Sequence, residues 1–337
     1  MTIKQYLRKA SLIVGEPKAK PGDDPLQPNR AALDLSELRF RFSVRRGDTQ
    51  TPNSADIRVY NVSDSTAAKV EGEFTRVVLQ AGYEGNCSVI FDGTIMQVRR
   101  GRESSTDTYI DITAADGDRA YNFSTIAMSL AAGSKPEDHV AAVLARMSAL
   151  GIDKGYVPES LAGNGLPRGK VLYGMSKDEL REIAKTINTN WSIQDGKFVM
   201  VTNGAYVPGE IPVITSATGM VGMPEATQGG IRVKTLLNPY IKVGGCIQIN
   251  NASIQGYRFG LAMTKGQIAS NFKAHDAIRT SNDGIYCVML ADHSGDTRGN
   301  EWYTDVICLS ADSMFPEVFK NRLTSPAPGP SARDLFG

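Results

Sequence analysis

SELRFRFSVRRGDTQTPNSADIRVYNVS, residues 36–63, is the stretch on which the fold turns. Leu38, Phe40, Phe42 and Val44 alternate with Glu37, Arg39, Arg41 and Ser43. A period of two places the apolar side chains on one face of an extended strand and the charges on the other. RRGDTQTPNS (45–54) reads as a loop dense in turn formers. ADIRVYNV then resumes as a strand, with Ile57 and Val59 on one face and Arg58 and Tyr60 on the other. From Thr51 to Ser63 there is no His, no Cys and no pair of acids. Nothing in it can do chemistry.

The same grammar extends outward. TRVVLQAGYEG (75–85), CSVIFDGTIMQVRRG (87–101) and TDTYIDITAADGD (106–118) are strands bounded by Gly, Asp or Ser, with Ile110 and Ile112 opposed to Tyr109 and Asp111. Short strands with short connections predict an antiparallel barrel or sandwich, and the β-α-β alternation of a dinucleotide fold is absent. The period changes in SKPEDHVAAVLARMSALG (134–151), where Val140, Val143, Leu144, Met147 and Leu150 fall at helical spacing. Ser134 is the expected N-cap, Pro136 sits in the first turn and Gly151 lies past the end. A second helix is predicted in SKDELREIAKTINTNW (176–191), with Ser176 and Glu179 as a capping box and Leu180, Ile183, Ala184 and Ile187 as its stripe. WSIQDGKFVMV (191–201) predicts a hairpin turning on Asp195-Gly196. Strands resume after Gly209, with two around Asn238-Pro239 and a closing hairpin in YCVMLADHSGDTRGNEWYTDVICLS (286–310). The chain ends on a Pro-rich stretch, TSPAPGPSARDLFG. No tandem repeat is evident, but one strand-rich block precedes the helices and another follows them.

These patterns divide the chain into an N-terminal arm with a first β-barrel (1–125), an α+β insertion (126–205), a second β-barrel (206–320) and an extended tail (321–337). The 337 residues carry 41% hydrophobic side chains, enough for sizeable cores, and a net charge of +1, which points neither to nucleic acid nor to a membrane. No apolar run reaches membrane-spanning length, and SLIV near the N-terminus is too short for a leader's core, so residence in a cytoplasm is expected. Cys87, Cys246, Cys287 and Cys308 form no C-x-x-C pair and read as small buried hydrophobes.

Chemistry is sparse. His139 lies on the first helix, His275 in a polar stretch, and His293 beside Asp292 and Asp296 in ADHSGDTRG. That last group is the best metal or acid–base candidate, although Asp and His in such a loop more often satisfy turn backbone. Glu71 with Glu73, and Asp116 with Asp118, are acids two apart and read as solvated turns. Trp191 and Trp302 read as core, and VRRGR (98–102) as a solvated hairpin end. No nucleophile elbow or phosphate loop occurs. The expectation is therefore no catalytic, cofactor-binding or metal site and no cofactor. A hydrolase built on Asp292, His293 and Asp296, or a glycan- or receptor-binding β protein, stands as the alternative.

SELRFRFSVRRGDTQTPNSADIRVYNVS resembles the opening of baseplate hub proteins from contractile bacteriophage tails, with Val62 where that family has Leu. AGYEGNCSVIFDGTI (81–95), GMVGMPEATQGGIRVKTLLNPYIKVGGCIQI (219–249) and GDTRGNEWYTDVICLS (295–310) are similar to three later segments of the family, in order. The resemblance implies a non-enzymatic virion protein of the tail baseplate, assembled in the bacterial host cytoplasm. It implies a homotrimer whose two tail-tube-like antiparallel barrels per chain form a pseudo-sixfold ring. The implied partners are the spike or puncturing protein, the tail tube protein and other baseplate proteins, with no membrane anchor and no specific nucleic acid binding.

Overall fold

In the computed structural model the alternation becomes a strand from Phe40 to Gly47, with Phe40, Phe42 and Val44 buried and Arg41 and Arg45 exposed; Leu38 lies before the strand, and residues 45–47, read as loop, continue it. The structure describes residues 7–15, 32–48, 50–72, 74–227, 230–250 and 284–310. The Pro-rich tail, His275 and Glu73 lie outside the described residues.

In chain order, β1 (Arg8–Gly15) and β2 (Ala32–Asp34) precede β3 (Phe40–Gly47) and β4 (Ser54–Tyr60). A short helix, α1 (Asp64–Gly72), leads to β5 (Arg76–Tyr83), β6 (Asn86–Arg102) and β7 (Thr108–Ala115). The middle of the chain contains α2 (Asp118–Phe123), β8 (Thr125–Leu130), α3 (Pro136–Ser148), β9 (Asp153–Lys154), β10 (Lys170–Met175), α4 (Ser176–Thr186), β11 (Thr189–Gln194) and β12 (Lys197–Thr202). The last block holds β13 (Val213–Ile214), β14 (Met220–Thr227), β15 (Gly230–Leu236), β16 (Cys246–Ile249), β17 (Ile285–Asp296) and β18 (Trp302–Ser310).

The expectation of two barrels needs correction. Thirteen strands form one continuous sheet, ordered β14-β15-β18-β17-β3-β4-β7-β6-β5-β1-β2, with β16 attached to β17 and β13 to β16. Among the described residues no pairing closes either block into a barrel. The blocks join because β17 pairs with β3, from Leu290 opposite Gly47 to Asp296 opposite Arg41. Gly295 makes this seam possible: a Cβ there would strike the Phe42 ring and Trp302. Trp302 packs edge-on to Phe42 with centroids 5.5 Å apart, and its Nε1 donates to the Gly82 carbonyl at 3.1 Å. One core under the first block runs from Leu12 through Phe40, Ile57, Leu79 and Ile112 to Trp302, and a second lies under β15–β18. Each fully buried side chain of this size contributes roughly 1.5–3 kcal/mol.

The middle segment keeps a core of its own, in which Val140, Val143, Leu144 and Met147 of α3 meet Leu180, Ile183 and Ala184 of α4, with Trp191 and Phe198. The Asp195-Gly196 hairpin forms as its sequence predicts, both residues having positive φ and Gln194 facing Lys197. The helix starts differ from expectation. The N-cap of α3 is Lys135 rather than Ser134: Asp138, three residues into the helix, accepts the Lys135 backbone N–H at 2.8 Å, while Ser134 sits 3.0 Å from His139 Nε2. The predicted capping box of α4 does not form. Ser176 is the first helical residue and bonds Ser124 across 2.7 Å, and Glu179 accepts the Tyr173 N–H at 3.2 Å. Both side chains serve the β8–β10 ribbon instead. Among the described residues no helix is long and apolar enough to cross a membrane.

Candidate functional site

Asp292, His293 and Asp296 lie along β17. Alternation along the strand sends Asp292 and His293 to opposite faces. His293 is fully buried opposite Val44, its Nδ1 is 2.9 Å from Thr304 Oγ1, and its Nε2 has no hydrogen-bond partner among the described residues. Burial, with Arg46 nearby, holds the imidazole down at about 3, so the ring stays neutral. Asp292 stands opposite Arg45 on one side and Asp305 on the other, and partial burial pushes its carboxyl up. Asp296 closes the strand four residues on, about 13 Å away by strand rise. Arg39 Nη2 and Arg41 Nε each donate to its Oδ2 at 2.8 Å. Burial works to raise this carboxyl, but those hydrogen bonds overcome it and hold it below the usual carboxylate range. The three side chains are therefore divided among a buried face, a wet face and an arginine clamp. Among the described residues no three His, Cys, Asp or Glu side chains are grouped to hold a metal.

The other sequence candidates also find places. Trp191 and Trp302 are core residues. In VRRGR, Arg100 Nε donates to Glu71 at 2.7 Å. Asp116 and Asp118 are not solvated, which corrects the turn reading: both are buried. Asp116 accepts the backbone N–H groups of Asp195 at 2.6 Å and Gly196 at 2.8 Å. Burial and the neighbouring Asp195 charge push its carboxyl up to about 7.

Asp116 belongs to a polar joint that sequence reading missed. Arg46, only 2% exposed, donates to Asp195 Oδ2 at 2.9 Å, to Gln194 Oε1 at 3.3 Å and to the Ile90 carbonyl at 3.3 Å. Asn53 Nδ2 donates to the Ile193 carbonyl and to Gln194 Oε1, and Gln194 Nε2 returns a bond to the Gly47 carbonyl. This network ties the β3–β4 loop of the sheet to the β11–β12 hairpin of the middle segment. The signal was Arg46 itself, the one charge on the inward parity of its strand.

Two broader surfaces remain. Across five strands the wet face carries a row in register, Asp296, Arg41, Arg58, Asp111 and Arg99. Arg58 clamps Asp111 through two bonds of 2.7 and 3.0 Å and lies 3.9 Å over the Tyr109 ring. Among the described residues three strands of the sheet have a single partner: β14 and β2 at the ends of the main path, and β13 at the end of the β16 branch. Such edges are templates for strands of another chain.

Comparison with known proteins places this geometry. The sequence model of the family described as Baseplate hub gp41 matches residues 54–259, more than half of the chain. A search of curated proteins finds no match. Among solved structures, the 43 kDa tail protein of prophage MuSo2 from Shewanella oneidensis is similar at 7% identity, with a TM-score of 0.52 over 91% of this chain and 98% of that one. The tail protein from Neisseria meningitidis MC58 is similar at 9% identity, with a TM-score of 0.53 over 92% and 100%. A chain of the Francisella PdpA-VgrG complex matches at 5% identity, with a TM-score of 0.51 over 92% of this chain and 59% of its own length. The likeness to these structures is one of fold. With the family match, the outcome is that this chain belongs to the baseplate hub gp41 family and is a structural hub protein of a phage tail baseplate.

Proposed function

We propose that the chain acts as a homotrimer whose sheets continue from one protomer to the next in a ring, adapting a sixfold tail tube to a threefold spike in a contractile tail. The observation that carries this reading is the single sheet, whose strand path among the described residues runs from β14 to β2 without closing on itself. Exposed edges left unpaired invite aggregation, and a closed ring removes them. Two strand blocks per protomer, joined at the β17–β3 seam, supply six sheet segments in three chains. The wet face with its paired charges lines the central opening. The partners are the spike, the tail tube protein and other baseplate proteins, met in the host cytoplasm and kept in the virion's baseplate.

The role is mechanical rather than catalytic, supported by the separation of Asp292, His293 and Asp296 described above. The core shared by α3, α4, β11 and β12 supports treating 126–205 as an inserted unit between 1–125 and 206–320, with 321–337 as a separate tail.

Negative-stain electron microscopy of the purified chain, with two-dimensional class averages, tests the ring. Threefold rings with a central opening are expected. A chain that stays monomeric even with spike and tube proteins present overturns the proposal.

A further inference from the structure

We propose that Cys246 and Cys287 join in an intramolecular disulfide, which makes the β16–β17 pair a site of oxidative modification.

The two residues are direct partners across antiparallel strands. The hydrogen bonds on either side show which kind of partner they are. Ile249 N–H donates to the Gly284 carbonyl at 2.8 Å, and Val288 N–H donates to the Gly245 carbonyl at 2.8 Å. Hydrogen-bonded sites alternate with non-hydrogen-bonded ones along such a ladder. With 249/284 and 245/288 bonded, 247/286 is bonded too, and 246/287 falls on a non-hydrogen-bonded site. Cα atoms at these sites approach to about 4.5 Å, inside the span of roughly 4.4–6.8 Å that a disulfide bridges. Both side chains leave the same face, and their sulfurs are 3.1 Å apart.

The other cysteines are placed differently. Cys308 faces Val288, the neighbour of Cys287 along β17, so its side chain lies on the opposite face. Its thiol rests 3.3 Å from the Ile231 carbonyl within the β15–β18 core. Cys87 sits in β6 with its sulfur 3.6 Å from the Lys9 carbonyl. Around the pair is a small cluster of Tyr206, Ile285 and Ile211, separate from the larger cores. The Cys287 contact and burial push the Cys246 thiol up, so the thiolate is scarce and oxidation is slow.

The chemistry balances with a low-molecular-weight disulfide as oxidant. One cysteine thiolate attacks a sulfur of the reagent and expels one thiolate, giving a mixed disulfide. The second cysteine thiolate attacks the protein-bound sulfur and expels the other thiolate. The two protons given up by the cysteines are taken by the two leaving groups. A diazene such as diamide achieves the same result, its N=N bond accepting the two electrons and two protons. The bond ties together residues 41 positions apart and reduces the freedom of the unfolded chain.

The test is a non-reducing peptide map of the full-length native protein after diamide treatment, alkylation and digestion. One linked pair is expected, joining the Cys246 and Cys287 peptides at two hydrogens below their summed mass, with Cys87 and Cys308 alkylated. The gel band stays at the single-chain mass. The thermal midpoint rises by roughly 5 °C, returns on addition of dithiothreitol, and does not rise in C246S or C287S. Should those variants fail to fold, the wild-type map decides alone. Cys246 and Cys287 that remain alkylatable after oxidation, or a link through Cys87 or Cys308, overturn the assignment.

Discussion

The large sheet and the small α+β body between β8 and β12 bury their apolar surface in different ways. The sheet covers one face and leaves the other wet, with Asp296, Arg41, Arg58, Asp111 and Arg99 in one row across it. Among the described residues its strand path ends at β14 and β2 without closing on itself. The middle body folds two helices and a hairpin around Trp191 in a core of its own. Between the two lies a joint of polar groups, Arg46, Asn53, Asp116, Gln194 and Asp195, rather than an apolar seam. Apolar packing tolerates sliding, whereas a buried charge demands its partner at one geometry. The joint therefore fixes how the middle body is oriented on the sheet.

The largest expected effect comes from breaking that joint. Arg46→Ala leaves Asp195 and the buried Asp116 without their cation. It is expected to cost about 3–5 kcal/mol, the range for a broken buried ion pair. Urea unfolding measures the loss, and hydrogen exchange locates it. Faster exchange should concentrate in the Asp195-Gly196 turn and β11–β12 rather than in β4–β7. Uniform acceleration would mean that the two regions unfold as one unit and that their structural difference has no energetic counterpart.

A pH series sharpens the same contrast, because the two regions titrate with opposite signs. Asp116 in the joint has its folded pKa raised to about 7. The unfolded chain gives up this proton near pH 4, so the contribution is full in acid and is lost as pH rises toward 7. His293 in the sheet has its folded pKa lowered to about 3. Its contribution is present above about pH 6.5 and is lost as pH falls. Between about pH 4 and 6.5 the two slopes oppose each other. Asp116→Asn removes the first and leaves the second, so the variant should lose stability on acidification more steeply than wild type. Urea midpoints at pH 7.5, 6 and 5 measure the slopes; parallel curves would contradict the assignment.

Much of the sheet was legible because its residues repeat with a period of two. Phe40, Phe42 and Val44, and likewise Ile110 and Ile112, announce which face is buried. The Asp195-Gly196 hairpin was legible because its turn residues tolerate positive φ. β1 was read only as a run too short for a leader, although Leu12 and Val14 are buried in it. α1 escaped notice because only Ala67 and Val70 are buried along it, too few to make a stripe. The joint and the cysteine pair were illegible for a different reason. Arg46 and Asp195 are 149 positions apart and Cys246 and Cys287 are 41 apart, so only the pairing of distant strands brings them together. Asp116 looked solvated because two acids in a Gly turn usually are. Here the turn amides of a hairpin far along the chain cover it.

The smallest expected effect lies on the wet face. Arg58 and Asp111 form a two-bond clamp, and Arg58 also lies over the Tyr109 ring. The Arg58 side chain is 35% exposed, so solvent already screens much of the attraction. A partly exposed cross-strand pair is expected to contribute about 0.5–1 kcal/mol. Arg58→Met keeps most of the apolar stem while removing the charge, and it should cost no more than that in urea unfolding at low salt. The difference from wild type should shrink further in 1 M NaCl. A loss of several kcal/mol would show that this face is held as tightly as the joint at Arg46, and the division between an open sheet and a locked middle body would fail on the side of the sheet.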